Sequence, residues 1–115
     1  MIWDVTLREV AVLALGDPVP DGVADAGTSP PVSRLGELLA GGDPVLVSIE
    51  VSPDTEVSSD EDEAALLAAV SVYAWLGVEV FRVPARHRRS VRQALDMVAS
   101  IKGTRQPTLS RRGLA

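Results

Sequence analysis

Short apolar runs alternate along the chain with longer stretches whose apolar residues recur at helical spacing. Three runs rich in Val, Leu and Ile predict buried strands over about 9–15, 45–51 and 78–83. The first run ends at a Gly-Asp-Pro turn and the third at Pro84, and both of these break a strand. Residues 16–31 are rich in Gly, Pro and Asp and predict a long loop.

Each stretch of helical spacing predicts one helix, and the three helices cover about 31–40, 60–76 and 86–101. The second helix opens with the acids of DEDE, which complement the helix dipole, and it ends before Gly77. It is apolar nearly all round, so we expect it to be buried on more than one side. The last helix carries a single apolar stripe, with arginines outside that stripe.

Strands that alternate with helices predict an α/β fold of three β-α units, with a small parallel sheet and right-handed crossovers. We assign residues 1–103 to a single α/β domain. Residues 104–115 are polar and contain a proline, so we expect a mobile C-terminal tail. No apolar run approaches the roughly 18 residues that span a bilayer, so we expect no membrane association.

Composition limits both the core and the available chemistry. At 115 residues and 12.1 kDa the chain can bury one modest core. Only 3% of residues are aromatic, so that core is built mainly from Val, Leu and Ala. The absence of cysteine excludes disulfides, thiol nucleophiles and cysteine-based zinc sites. The first residues lack the basic and apolar segments of a secretion signal, so we expect a cytoplasmic location.

The net charge of −5 hides an uneven distribution of charge along the chain. Nine of the 11 Lys and Arg residues lie from Arg82 onward, and Asp96 is the one acid in that region. Opposite charges in the two parts of the chain favour head-to-tail or antiparallel association, or an anionic ligand at the basic end. Nucleic acid is not expected as a partner, because the chain is acidic overall and no aromatic residues are interleaved with the basic run.

Candidate ligand-binding groups lie near the ends of the predicted strands. Arg82 is at the carboxyl end of the third strand, where α/β proteins place ligand sites, and it could hold a phosphate or carboxylate. The alternative is an ion pair with a nearby acid such as Glu79 or Asp17. Asp17, Asp21 and Asp25 resemble an oxygen-ligand loop, but acids in such loops more often form Asx-turns. The Asx-turn interpretation leads us to predict no metal. We predict an anion site at Arg82, Asp17 and Asp21.

The single histidine, His87, lies among arginines at the start of the last predicted helix. We expect a solvated helix residue rather than a general base, because a base needs a partner that orients it. No serine has a base at a plausible spacing. We therefore predict no catalytic residue and no cofactor.

Two segments of the chain resemble the dihydropteroate synthase family, the pterin-binding (β/α)8 barrels of folate synthesis. AVLALGDPVPDGVADAG is similar to the family's first strand and following loop, with Pro20, Asp21, Asp25 and Gly27 in register. Within residues 44–115, PVLVSIEV resembles the seventh strand and VEVFRV the eighth, and each is followed by a helix in family order. The resemblance covers most of the chain and implies a partial TIM barrel.

Several positions that bind substrate in the family are changed in this chain. Asp17 stands where the family has a metal-binding Asn. The stretch SIEVSP lacks the lysine that lies beside the pterin. Arg82 is kept, but Pro84 replaces the histidine that helps this arginine to hold pyrophosphate. Only residues 28–43 separate the two similar segments, so strands two to six of the family barrel are missing between them.

The resemblance also implies an order for the three predicted strands. In the family barrel the eighth strand lies between the seventh and the first, which gives the order 2-3-1 here. Such a sheet would have two open edges and an uncovered inner face, and both favour association. The family's last two helices form its dimer interface, so we expect the matching residues at a homodimer interface. They are Leu67, Val70, Tyr73, Trp75, Val91, Leu95 and Val98.

The resemblance therefore implies a truncated and non-catalytic relative that acts as a binding or interaction module. We expect a homodimer, which could also modulate a full-length dihydropteroate synthase. One alternative is a binder of a small pterin-type or phosphate-type anion at Arg82 and the Asp17 loop. A less favoured alternative is a synthase whose barrel is completed by oligomerisation.

Overall fold

The computed structural model describes residues 10–51 and 60–103. These residues form four strands, three helices and one short 3-10 turn. In chain order they are β1 (Ala11–Ala14), β2 (Ala24–Thr28), α1 (Val32–Ala40), β3 (Val45–Ser48), α2 (Asp60–Leu76), β4 (Val80–Val83), the 3-10 turn (Ala85–His87) and α3 (Arg88–Lys102).

The four strands form one parallel sheet in the order β1-β4-β3-β2. The predicted α/β class is confirmed, and the three predicted strands keep the expected order, since β4 lies between β3 and β1. The central strands β3 and β4 are buried at nearly every position. This is the expected environment for apolar strands that have a neighbour on each side.

β2 lies within residues 16–31, for which the sequence predicts a loop, and that prediction is wrong for Ala24–Thr28. The sequence ADAGT has low β propensity, and only Ala26 is buried. The strand forms because its backbone pairs with β3, beginning with the 2.8 Å bond from the first N–H of β2 to the Pro44 carbonyl. The register shifts within β2, where Gly27 has a φ of 88°.

The helix boundaries are close to the predicted ones. α2 spans the predicted residues and ends at Gly77, whose φ of 119° lets the Val78 N–H reach the Tyr73 carbonyl at 3.0 Å. α3 begins later than predicted because a 3-10 turn follows Pro84. No helix within the described ranges is long and apolar enough to cross a membrane. The predicted tail, 104–115, lies outside those ranges.

All three helices pack on one face of the sheet, and the core lies between them and that face. Val12, Phe81 and Val47 are neighbours in the register of β1, β4 and β3, and each is almost fully buried. The helix residues packed in the same core are Leu35, Leu66, Val70, Ala74, Val91 and Leu95. These three strand residues therefore form the surface of the sheet against which the helices pack.

Most of the residues predicted at a homodimer interface contribute to this core instead. The reason is that α2 and α3 pack on each other as well as on the sheet. Val70, Val91 and Leu95 are buried in the core. The half-buried members of the predicted set are Leu67, Tyr73 and Val98. Trp75 is the one member that is exposed, at 55%.

The connection from β1 to β2, residues 15–23, crosses the face of the sheet opposite the helices, and we call it the crossing segment. The connections through α1 and α2 run across the sheet from β2 towards β1, whereas the crossing segment runs from β1 to β2. A right-handed connection in this reverse direction must lie on the face of the sheet opposite the helices. Arg82 points to that face, because it lies between two core residues of β4, and it contacts the Asp17 carbonyl.

The expectation of an uncovered inner face is therefore wrong. Leu46 and Val80 point away from the helix-side core, yet they are only 0% and 7% exposed. Ser48 on the same face is also buried, at 4%. The chain itself covers this face, so the face cannot drive association in the way that an open sheet would.

The outer edge of β1 is closed by side chains of the same chain. Odd-numbered residues of β1 bond to β4, as Ala11 N–H does to Glu79, so the even-numbered residues face outward. The outward Ala14 N–H donates to Asp17 Oδ2 at 2.9 Å, and the Ala14 carbonyl accepts from the Asp17 N–H. The outward Val12 carbonyl accepts from Arg88 Nη2 at 3.2 Å. These contacts occupy backbone groups that a further strand would need.

Two apolar side chains of α1, one buried and one exposed, test where the core lies. Leu35 is 1% exposed and Val32 is 61% exposed on the same helix. We expect Leu35→Ala to lower the free energy of unfolding by about 2–5 kcal/mol, because it leaves a cavity in the core. Val32→Ala should change it by less than about 0.5 kcal/mol. Urea titration followed by circular dichroism measures both; equal effects would contradict the assigned core.

Candidate functional site

The candidate site lies at the carboxyl edge of the sheet, on the face opposite the helices. Arg82 on β4 has Ser48 of β3 and Leu13 of β1 as its neighbours in register. β1 and β3 end at or next to this row, so the loops that follow them also meet here. In parallel α/β sheets this edge is where ligand sites form.

Every nitrogen of the Arg82 guanidinium donates a hydrogen bond within the chain. Nε donates to the Ser48 hydroxyl at 2.9 Å, and Nη1 donates to the Asp17 carbonyl at 3.1 Å. Nη2 lies 3.4 Å from Asp25 Oδ2, in an ion pair whose side chains are 19% and 40% exposed. Arg82 therefore joins β4 to β3, to the crossing segment and to β2.

The alternative to anion binding by Arg82 was an ion pair with a nearby acid such as Glu79 or Asp17. Asp25 takes the carboxylate role, and Asp17 contributes its backbone carbonyl. The Asp17 carboxylate is used in the loop, where it accepts the Ala14 N–H. The prediction that Arg82 and Asp17 bind an external anion stays a prediction.

The loop acids shape the backbone around Arg82. Asp25 Oδ1 accepts the Gly27 N–H at 2.8 Å, two residues further along, which is an Asx-turn contact. Asp21 is exposed and makes none of the contacts that hold Arg82. In the described part of the chain, no group of three or more His, Asp or Glu residues is arranged to hold a metal ion. The Asp25 carboxylate is thus bound both to Arg82 and to the backbone, and the Asp17 carboxylate is bound to the backbone.

His87 is not the solvated helix residue that the sequence predicts, because it is only 2% exposed. Its Nε2 accepts a hydrogen bond from Arg86 Nε at 3.1 Å, and its Nδ1 lies 3.6 Å from a Glu63 carboxylate oxygen. An accepting Nε2 places the proton of the neutral ring on Nδ1, towards Glu63. Both ring nitrogens have a neighbour within the chain, so the ring joins the turn before α3 to α2.

Tyr73 also has an internal role. Its hydroxyl donates to the Pro30 carbonyl at 2.7 Å and so ties α2 to the connection between β2 and α1. Trp75, two residues later, has no such burial, and its ring lies 5.8 Å from the Lys102 ammonium. Of the aromatic residues predicted at an interface, only Trp75 is left to contact another molecule.

A separate open cavity of about 190 Å³ lies beside the carboxyl end of β3 and the start of α2. It is smaller than the roughly 300–1,000 Å³ of typical ligand pockets. Its lining residues are Ile49, Glu50, Val51, Asp62, Ala65 and Leu66. Ile49 donates its N–H to the Arg82 carbonyl at 2.9 Å, but none of these residues is a partner of the Arg82 guanidinium, so the cavity does not enlarge the candidate site.

Sequence reasoning missed two partners of Arg82, namely Ser48 and the carboxylate of Asp25. The register of β3 and β4 places Ser48 beside Arg82, whereas aligning the predicted strand ends, 51 and 83, places Glu50 there, so the predicted bounds could not identify Ser48. Asp25 could not be found either, because β2 has no hydrophobic pattern of its own.

The parallel sheet, its β-α units and an arginine at its carboxyl edge define an α/β protein, and they agree with the partial barrel that the resemblance implies. The chain is 42% identical over 86 residues to "Inactive dihydropteroate synthase 2" of Mycobacterium leprae (strain TN), a match of 71% of this chain and 29% of the relative. Proteins of the same name from Mycobacterium bovis (strain ATCC BAA-935 / AF2122/97) and Mycobacterium tuberculosis (strain ATCC 25618 / H37Rv) are 36% identical over 86 residues. These matches cover 71% of this chain and 26% of each relative.

No family model matches the chain, and no solved structure matches it. The similarity to the inactive synthases nevertheless confirms the resemblance that the sequence predicts. The chain is a degenerate relative of the dihydropteroate synthases, and it spans less than a third of the length of the relatives it matches.

Replacement of Arg82 by Met tests the structural role of the guanidinium. Arg82→Met keeps most of the aliphatic stem and removes every donor, so we expect a loss of about 1–3 kcal/mol in the free energy of unfolding. Asp25→Asn should cost less than about 1 kcal/mol, because the ion pair is long and partly exposed.

The matched control is Arg34→Met, at an exposed position of α1. It should change the unfolding free energy by less than about 0.5 kcal/mol. Urea titration measures all three variants. If Arg82→Met proved as stable as the parent, the guanidinium would be a free ligand group rather than a connector.

Proposed function

We propose that this chain is a non-catalytic relative of dihydropteroate synthase that acts by binding another protein chain, in the first place a second copy of itself. The observation that carries the proposal is the state of Arg82. All three nitrogens of its guanidinium are bonded to groups of the same chain. Three of its five N–H donors are therefore used within the chain, which leaves fewer of them for a substrate anion.

The surroundings of Arg82 support the same proposal. Pro84 stands two residues later, where the resemblance expects a histidine, and it has no N–H to donate. The crossing segment lies over the face that would be the inside of a barrel, and its Asp17 carbonyl contacts Arg82 directly. The Arg82 side chain is left only 19% exposed to a substrate.

The names of the relatives agree with a lack of catalysis. The mycobacterial proteins that the chain resembles are called inactive dihydropteroate synthases. Since this chain spans under a third of their length, the loss of activity is carried over here as part of the proposal. A full-length dihydropteroate synthase is the second partner that we propose, and the cytoplasm is the proposed location.

A binding role needs a surface, and α2 and α3 offer one. Val72, Trp75 and Leu76 of α2 are 57%, 55% and 41% exposed, and Met97 and Ile101 of α3 are 65% and 68% exposed. Exposed apolar side chains gathered in one region are typical of protein-contact surfaces. Lys102 contacts Trp75, so the ends of the two helices lie together.

A second candidate function is the binding of a small pterin-type or phosphate-type anion. The observation in its favour is that the Arg82–Asp25 contact is long, at 3.4 Å, and that the Asp25 side chain is 40% exposed. An incoming anion could replace this carboxylate without disturbing the bonds to Ser48 and Asp17. Thermal shift with pyrophosphate on the parent and on Asp25→Asn would detect such an exchange.

Light scattering on the parent protein tests the proposed association. We expect the mass of a dimer, unchanged over a wide concentration range, because the exposed apolar helix surface is then covered. In the same preparation we expect no condensation of a pterin pyrophosphate with p-aminobenzoate. A monomer at every concentration would contradict self-association, and measurable turnover would contradict the loss of catalysis.

Restoring one family residue should not restore the reaction. We expect Pro84→His to show no condensation product, because the lysine of the family site and five strands of its barrel are still missing. Pro84→Ala is the matched control for the loss of the proline ring. Product formed by Pro84→His and not by Pro84→Ala would show that a working site survives, and would overturn the proposal.

A further inference from the structure

The side of α2 that faces away from the sheet carries a row of small and apolar side chains. These residues are exposed and three or four positions apart, which places them on one side of the helix. They are Ala64, Ala68, Val72 and Trp75, and we call them the outer row. Val72 and Trp75 are 57% and 55% exposed, whereas the core residues of α2 lie on its opposite side. No described element of the chain covers the outer row.

The surface of α2 changes from acidic at its start to apolar at its end. The first turn consists of the acids Asp60–Glu63, of which Asp60 and Glu61 are exposed. Further along the helix, the outer row begins with alanines and ends with Val72 and Trp75. A segment with apolar side chains followed by bases would match this order, provided that it runs from the end of α2 towards its start.

The end of α3 is held beside the end of α2. Lys102 Nζ donates to the Ala74 and Trp75 carbonyls at 3.2 Å and 3.1 Å, and it lies 5.8 Å from the centre of the Trp75 ring. Gly103 ends α3 with a φ of 81°, and its N–H donates to the Ser100 carbonyl at 3.2 Å. The chain therefore leaves α3 next to the apolar end of the outer row.

The residues that follow Gly103 have the composition that the surface of α2 would match. Residues 104–115 read TRQPTLSRRGLA, with three arginines and no acid, and we call them the C-terminal segment. Leu109 precedes Arg111 and Arg112, so an apolar side chain comes before a pair of bases. The order of apolar and basic residues is thus the one that a path from the end of α2 to its start requires.

The length of the C-terminal segment suits such a path. α2 has 17 residues and is about 25 Å long, at roughly 1.5 Å per residue. An extended chain advances about 3.3 Å per residue, so the eight residues from 104 to 111 span about 26 Å. On a path back along α2, Arg111 therefore reaches the level of Asp60 and Glu61, and Leu109 lies level with the alanines of the outer row.

We propose that the C-terminal segment lies along the outer row of α2, in the direction opposite to the helix, with Arg111 and Arg112 against Asp60 and Glu61. The apolar side chains of the outer row are then removed from water. The alanines in the middle of the row leave room for an added chain. Opposite charges fix the position of the segment, because any other placement takes the two arginines away from the acids at the start of α2.

The covalent link favours this occupant over a separate molecule. Because the C-terminal segment begins beside the outer row, its local concentration there is on the order of millimolar, as for other short linkers. The docking needs no second chain, so it goes beyond the proposed self-association. One consequence does rest on the proposed function: a partner chain that covers α2 has to displace the segment, so the segment would regulate that contact.

Paramagnetic broadening of amide signals in the full chain tests the path of the segment. A nitroxide on Ser110→Cys has a unique attachment site, because the chain has no native cysteine. On the proposed path the label lies near the start of α2, so the amide signals of Glu61 and Ala64 should lose more intensity than that of Trp75. A segment that does not dock is held only at Gly103, and its label would broaden Trp75 the most. The protein with a reduced nitroxide supplies the reference intensities.

Charge reversal in the labelled protein tests the ionic contact. Arg111→Glu should remove most of the broadening at Glu61 and Ala64, because it places an acid against acids. Arg105→Glu is the matched control, since it makes the same change of charge near the apolar end of α2 and should keep the broadening. Adding Glu61→Arg to the Arg111→Glu protein should restore the broadening at Ala64.

Broadening that is strongest at the start of α2, lost in Arg111→Glu and kept in Arg105→Glu supports the docking. Broadening that is strongest at Trp75, or unchanged by Arg111→Glu, overturns it. Dilution of the isotope-labelled protein with unlabelled chains that carry no nitroxide should leave the broadening in place; its loss would show that the segment docks on another copy, and would also overturn the proposal. A monomer with the expected broadening contradicts self-association alone, and a dimer without it contradicts the docking alone.

Discussion

One guanidinium group connects the parts of this small sheet that are farthest apart in sequence. Arg82 reaches Ser48 in the neighbouring strand, the Asp17 carbonyl in the crossing segment and the Asp25 carboxylate in the edge strand. The chain has few aromatic residues and one modest core, so few other contacts can hold a segment on the face away from the helices. Arg82 therefore helps to hold the crossing segment and the edge strand β2 against the two central strands.

The same interaction explains how a fold associated with ligand binding can lose that use. Charge-assisted hydrogen bonds are strong whether the acceptor belongs to a ligand or to the chain. Once Asp25 and the crossing segment supply the acceptors, a bound anion is no longer needed to balance Arg82. In the proposed non-catalytic role, Arg82 is retained for its bonds within the chain, while Pro84 stands where the resemblance expects a histidine.

The parts of the fold that were predictable are those with a strong local pattern. α2 was found to the residue because four acids, a continuous apolar stretch and Gly77 mark its start, length and end. β2 was missed because its residues pair through the backbone and bury only Ala26. His87 was misjudged because its arginine neighbours suggested exposure, whereas the folded ring lies near Glu63 of α2, which is distant in sequence. Arg82 was recognised from its place at a strand end, but 57 residues separate it from Asp25.

The residues predicted at an interface show a related limit. An apolar helix reveals that it needs several neighbours, but not which neighbours belong to its own chain. Val70, Val91 and Leu95 find theirs in the core, and only Trp75 of the predicted set faces outward. The helix surface left for a partner becomes visible only after the intramolecular packing is known.

The closed edge of β1 has a consequence for how copies of the chain could aggregate. Asp17 and Arg88 occupy backbone groups that an added strand would use, so the sheet can be extended only beyond β2. Two copies that met through their β2 edges would have both remaining edges closed. Growth by addition of strands to the four described ones would then stop at that pair.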